Sequence, residues 1–115
     1  MKFYLAKTLN GIGKYGDIFD LSNESNEKVE SFEIKEDDFA LLEEYFIDSI
    51  NDKCNSLLEY GDYDFFDVDK CKILKNWLEE NIANNSVKRL DELYNKLLEY
   101  TNKAIQYNTG LAIDF

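Results

Sequence analysis

From Phe39 onward the apolar residues fall at three- and four-residue steps: Phe39, Leu42, Phe46, Ile50, Cys54 and Leu57. This spacing lines one face of an α-helix. It predicts a helix of about six turns, N-capped by Asp37 or Asp38 and ending near Tyr60-Gly61. A second helix is expected to open near Asp67, with Cys71, Leu74, Leu78 and Ile82 on its buried face and Trp77 beside them. Asn84-Asn85-Ser86 breaks the pattern, and Ser86 is a candidate cap. A third helix follows. Leu90, Leu93, Leu97, Thr101 and Ala104 are in phase, Tyr94, Leu98 and Ile105 form the adjoining stripe, and Asn108-Thr109-Gly110 stops it.

The two ends of the chain read differently. Phe3-Tyr4-Leu5-Ala6 has the composition of a strand, and residues 10–16 with Gly11, Gly13 and Gly16 form a loop or turn. Ile18 to Leu21 predicts a short strand. Val29 to Ile34 predicts another, with Phe32 and Ile34 on one face and Ser31 and Glu33 on the other. Leu111, Ile113 and Phe115 alternate with Ala112 and Asp114. A C-terminal strand needs partners, and the N-terminal strands supply them. The expected fold is therefore α+β: one domain, residues 1–115, in which a small sheet of N-terminal strands and the C-terminal strand packs against three helices.

Composition narrows the chemistry. The 115 residues include no His, which excludes a Ser-His-Asp or Cys-His relay and any His metal ligand. Cys54 and Cys71 stand alone on apolar helix positions and read as small buried hydrophobes rather than a disulfide. Gly11-Ile12-Gly13-Lys14-Tyr15-Gly16 fits G-x-G-x-x-G, yet a strand-like segment follows where a dinucleotide site needs a helix, so a hairpin or Ω-type turn is expected. Asp62, Asp64, Asp67 and Asp69 fail the EF-hand register, because Asp67 occupies the glycine position and Ile73 the position of the bidentate Glu. No catalytic residue, cofactor or metal is assigned. No apolar run approaches a membrane span, and Met1 to Lys7 is too short an apolar stretch for a signal peptide, so the expected location is cytoplasmic.

The net charge is −11, from 24 acids and 13 bases. Its distribution is uneven. Residues 36–69 hold twelve acids against Lys53 alone, while the flanking segments are close to neutral. Glu44, Asp48, Asp52, Asn55 and Glu59 stack on one helical face, away from the apolar stripe. Like charges at this spacing disfavour a helix by a few tenths of a kcal/mol per pair. Beyond them, residues 59–69 interleave acids with aromatics in an expected loop. Acids steer a basic partner, and aromatics supply contact area. The bland reading is a solvated surface.

The expected partner-binding residues are Glu44, Asp48, Asp52, Glu59, Asp62, Asp64 and Asp67 as charge partners, with Tyr60, Tyr63 and Phe65 as contact anchors. Such a field repels nucleic acid and favours a basic protein. In size, acidity, lack of His, Asn/Lys/Ile-rich composition and the acidic segment 36–69, the chain resembles in kind the small acidic immunity proteins of bacterial toxin systems. The resemblance implies a stoichiometric inhibitor of a basic, nuclease-like toxin. It carries no residue roles. Two other functions fit the acidity: a nucleic-acid mimic of phage origin acting against restriction or CRISPR effectors, and an adaptor or oligomerisation domain in which 36–69 is solvated and contacts use the Tyr94, Tyr100 and Tyr107 side.

Overall fold

The structure, a computed structural model, describes residues 1–54, 56, 63–82 and 87–115. In chain order they form β1 (Lys2–Ala6), β2 (Lys14–Tyr15), β3 (Ile18–Phe19), β4 (Val29–Glu33), α1 (Glu36–Tyr45), α2 (Ile47–Cys54), β5 (Tyr63–Phe66), α3 (Val68–Asn81), α4 (Lys88–Tyr107) and β6 (Gly110–Asp114). The fold is α+β. Both chain ends enter one antiparallel sheet of order β4-β1-β6-β5, and β2-β3 is a separate hairpin.

The pleat decides which residues face the helices. Phe3 and Leu5 of β1 lie opposite Phe32 and Glu30 of β4 and opposite Ile113 and Leu111 of β6. Together with Phe66 they pack beneath the helices, against Leu42, Phe46, Leu74, Leu78, Leu97 and Tyr100. The other face, Tyr4, Ala6, Val29, Ala112 and Phe65, is covered by Ile12 and Leu21 of the irregular segment between β1 and β4. Both faces are thus covered, and the sheet is the middle of three layers.

Three expectations are corrected here. The long helix over 37–60 is two helices among the described residues, broken at Phe46, whose φ and ψ are −115° and −50°. The Phe46 side chain is wholly buried against Trp77 and Tyr94, and the Tyr94 hydroxyl donates to the Tyr45 carbonyl at 3.5 Å. The Phe46 N–H still bonds the Leu42 carbonyl and the Ile50 N–H the Phe46 carbonyl, so the break is a local departure at one residue whose ring is held in the core. The helix also starts earlier than Asp37 or Asp38. Its N-cap is Lys35, with no side-chain cap, because the Ile34 N–H still bonds the Met1 carbonyl and the chain turns directly from β4 into α1. Finally, residues 63–66, expected as loop, are the edge strand β5 on β6.

Other signals hold. Asp67 caps α3, its carboxylate accepting the Lys70 N–H at 2.9 Å. Asn108 ends α4 in the left-handed region at φ 55°. Thr109 then fastens the start of β6 to β1, its hydroxyl donating to the Ala6 carbonyl at 2.5 Å. Leu57 and Gly61, expected in and just after the first helix, lie outside the described residues, as do Asn84, Asn85 and Ser86.

Candidate partner-binding face

The acids of residues 36–69 divide by what they touch. Asp38 is only 7% exposed and forms a two-point contact with Arg89 of α4: Nε donates to Oδ1 at 2.9 Å and Nη2 to Oδ2 at 2.8 Å. The hydrogen bonds from Arg89 hold its pKa below the usual carboxylate range, against the opposing effect of burial. Asp64 accepts the Phe65 N–H at 2.9 Å, and Asp67 caps α3. These three acids serve the fold.

Glu44, Asp48 and Asp52 do not. All three are exposed, as are Glu36, Asp37 and Glu43, and none of the six forms an ion pair among the described residues. The single base of the segment, Lys53, turns instead toward a small groove between α2 and α3, lined with Ile73, Asn76, Trp77 and Glu80. Of the expected row, Glu44 on α1 and Asp48 and Asp52 on α2 are thus an exposed acidic ridge with no ion pair among the described residues, while Asn55, like Glu59, lies outside them.

The expected aromatic anchors are corrected. Tyr63 is half-buried, and both of its hydroxyl's roles are filled: it donates to the Phe19 carbonyl at 2.5 Å and accepts the Leu21 N–H at 2.9 Å. Burial pushes its pKa up. Phe65 is buried, packed at 5.2 Å against Phe19 and lying over Gly110. As strand residues of alternating parity, Tyr63 and Phe65 point into the layer beneath the hairpin, and Phe66 points into the helix side. Glu59, Tyr60 and Asp62 lie outside the described residues.

No family model, curated protein or solved structure matches the chain. The site thus rests on its own geometry. The aromatic that does accompany the ridge is Tyr45, 44% exposed at the end of α1, beside Glu44 and just ahead of Asp48. Its signal in the sequence is positional: it sits one residue off the Leu42–Phe46–Ile50 stripe.

Other chemistry is sparse in the described residues. Cys54 and Cys71 are buried free thiols whose pKa values burial pushes up to about 11 and about 12, which keeps them protonated and unreactive near neutral pH. Cys71 donates weakly to the Phe66 carbonyl at 3.4 Å, joining α3 to β5. No group of three or more acids and cysteines is placed to hold a metal ion, and no helix is long and apolar enough to cross a membrane, among the described residues.

Proposed function

We propose that the chain is a stoichiometric inhibitor that occludes a basic, nuclease-like protein, in the manner of the small acidic immunity proteins it resembles. One observation carries the reading: Glu44, Asp48 and Asp52 form an exposed row with no counter-charge among the described residues, on a helix pair anchored by Leu42, Phe46, Ile47 and Ile50 in the core. A rigid acidic ridge raises the encounter rate with a basic cleft, and Tyr45 supplies buried area at low entropy cost once docked. Occluding the cleft keeps the nucleic-acid substrate out, and the same field repels phosphate.

The test is a titration of the chain into a basic nuclease encoded beside it, followed by nuclease activity and calorimetry at low and high salt. Loss of activity at equimolar chain, with affinity falling steeply with salt, is the expected result. E44K/D48K/D52K should weaken the complex by at least about 100-fold. Full inhibition by that variant removes the ridge from the interface, and failure of the unmodified chain to inhibit removes the function.

A further inference from the structure

The hairpin between β1 and β4 leaves a second feature, on the sheet face away from the acidic ridge. Tyr15-Gly16-Asp17-Ile18 closes it. Gly16 has φ 60° and Asp17 has none of this positive twist, the pattern of a type II′ turn with glycine first. Cross-strand partners share a face, so Tyr15 and Ile18 project together while Lys14 and Phe19 project oppositely. Phe19 reaches Phe65, and the Lys14 ammonium lies over the Phe19 ring at 5.0 Å. Tyr15 and Ile18 remain 77% and 40% exposed.

Their face opens on a cleft of about 270 Å³ lined by Tyr15, Ile18, Asp20, Ser22, Tyr63 and Asp114. The cleft is held in shape. The Tyr63 hydroxyl ties the sheet edge to both Phe19 and Leu21, so its ring is a fixed wall. Asp20 is oriented by Ser22, whose N–H and hydroxyl both donate to Oδ1, at 3.0 and 2.5 Å. Those bonds also hold its pKa below the usual carboxylate range. Asn23 reaches Oδ2 only at 3.4 Å, which leaves that oxygen able to accept more. Asp114 forms no ion pair among the described residues. Lys2, opposite it on β1, leans over Tyr4 at 5.7 Å instead.

We infer that this cleft receives an arginine side chain of a partner polypeptide. The cleft is small, about 270 Å³ against about 300–1,000 Å³ for usual small-molecule sites, a size that suits one side chain. Two carboxylates and no base on the lining select a cation. Two aromatic walls select one that stacks. A planar guanidinium meets both demands and places a fork of N–H donors on separate carboxylates, whereas a lysine ammonium is a compact, strongly hydrated point charge. The negative field is felt on neighbouring groups too: Asp20 and Asp114, after burial, help to push up the pKa of Tyr4. The site lies across the sheet from Glu44, Asp48 and Asp52 and does not depend on their role.

The test is an NMR titration with the blocked peptide Gly-Gly-Arg-Gly-Gly at constant ionic strength, beside the same peptide carrying citrulline or lysine. The arginine peptide should shift the Ile18 methyl and Tyr15 ring resonances saturably, with a dissociation constant on the order of 10 mM. D114N and Y15A should each weaken it by about 3- to 5-fold, and E44K/D48K/D52K should leave it unchanged, which separates this site from the acidic ridge. No saturation by about 100 mM overturns the site. Equal binding of the citrulline peptide overturns recognition by charge, and equal binding of the lysine peptide overturns the choice of arginine. Shifts confined to Tyr45, Asp48 and Asp52 overturn the location.

Discussion

The two faces of the sheet are covered in different ways. On one side, α1, α2, α3 and α4 bring Leu42, Ile50, Leu74, Leu78, Leu90 and Leu97 onto Phe3, Leu5, Leu111 and Ile113, a continuous core of large side chains. On the other, Ala6, Gly110 and Ala112 present almost no side chain, and an irregular segment comes down close upon them through Ile12, Leu21 and Phe19. The thick face resists by volume. The thin face depends on a few specific fits, and this is what leaves the Tyr15–Ile18 turn standing free above it.

The largest effects should fall on the thick face. Leu97→Ala opens a cavity at a wholly buried position and is expected to cost about 3–4 kcal/mol in chemical denaturation. Gly110→Ala tests the thin face by the opposite route. A Cβ there would stand 2.2 Å from Phe65 Cζ and 2.8 Å from the Phe66 carbonyl oxygen. The ring can move, but the backbone oxygen is fixed by pairing, so a loss of about 3 kcal/mol is expected. Adding Phe65→Leu should recover part of it, a coupling that a double-mutant cycle reads directly. Strict additivity would show that the ring does not fill the space over Gly110.

Tyr63→Phe removes one atom and sharpens the contrast. Leu21 N–H loses its acceptor and Phe19 C=O its donor, for an expected cost of about 1–2 kcal/mol. Hydrogen exchange should speed up in residues 12–22 while amides of α3 and α4 keep their protection. Uniform loss of protection would mean that the hairpin layer does not open separately from the helix layer.

The thick face was the more legible in the sequence, and the reason is periodicity. The stripes from Leu42 to Cys54, from Cys71 to Leu78 and from Leu90 to Ala104 repeat with the helical turn, so each buried position predicts the next. Strand β5 offers no such repeat. It has four residues, both of its faces are covered, and Asp64 interrupts the apolar run, so its acids and aromatics look like a loop. That resemblance also misplaced an aromatic anchor onto the buried Phe65. The break at Phe46 was equally invisible, because the stripe runs straight through it and the rings packed on Phe46, Trp77 and Tyr94, are far along the chain. The acidic row was readable from spacing alone. What spacing does not give is which acids are engaged: Asp38 finds Arg89 at a separation of 51 residues.

Asp38 supplies the next smaller test. Asp38→Asn keeps the shape and removes the charge, and because Arg89 is half-exposed the cost should be near 1 kcal/mol. Its pH dependence has a definite sign. The folded carboxyl has a pKa below the usual value, so its contribution is present above about pH 4 and is lost as pH falls through the depressed folded value. The stability gap between the native chain and Asp38→Asn should therefore close on acidification. A gap unchanged down to about pH 2 would mean that the charge on Asp38 adds nothing to the contact.

The smallest effect belongs to residues that cover neither face. E44K/D48K/D52K changes the net charge from −11 to −5, since each reversal adds two. All three side chains are exposed and none has an ion-pair partner among the described residues, so no fold contact is lost. Lysine is a good helix former, and the like-charge pairs along the row are simply inverted in sign, so the expected change in stability is within about 0.5 kcal/mol. Measured by urea denaturation beside Asp38→Asn, the triple variant should be the milder of the two despite three times as many substitutions. A cost above about 1 kcal/mol would place the row in the fold and withdraw it as a free surface. A null effect on stability is the condition under which any loss of inhibition by this variant can be assigned to the interface rather than to unfolding.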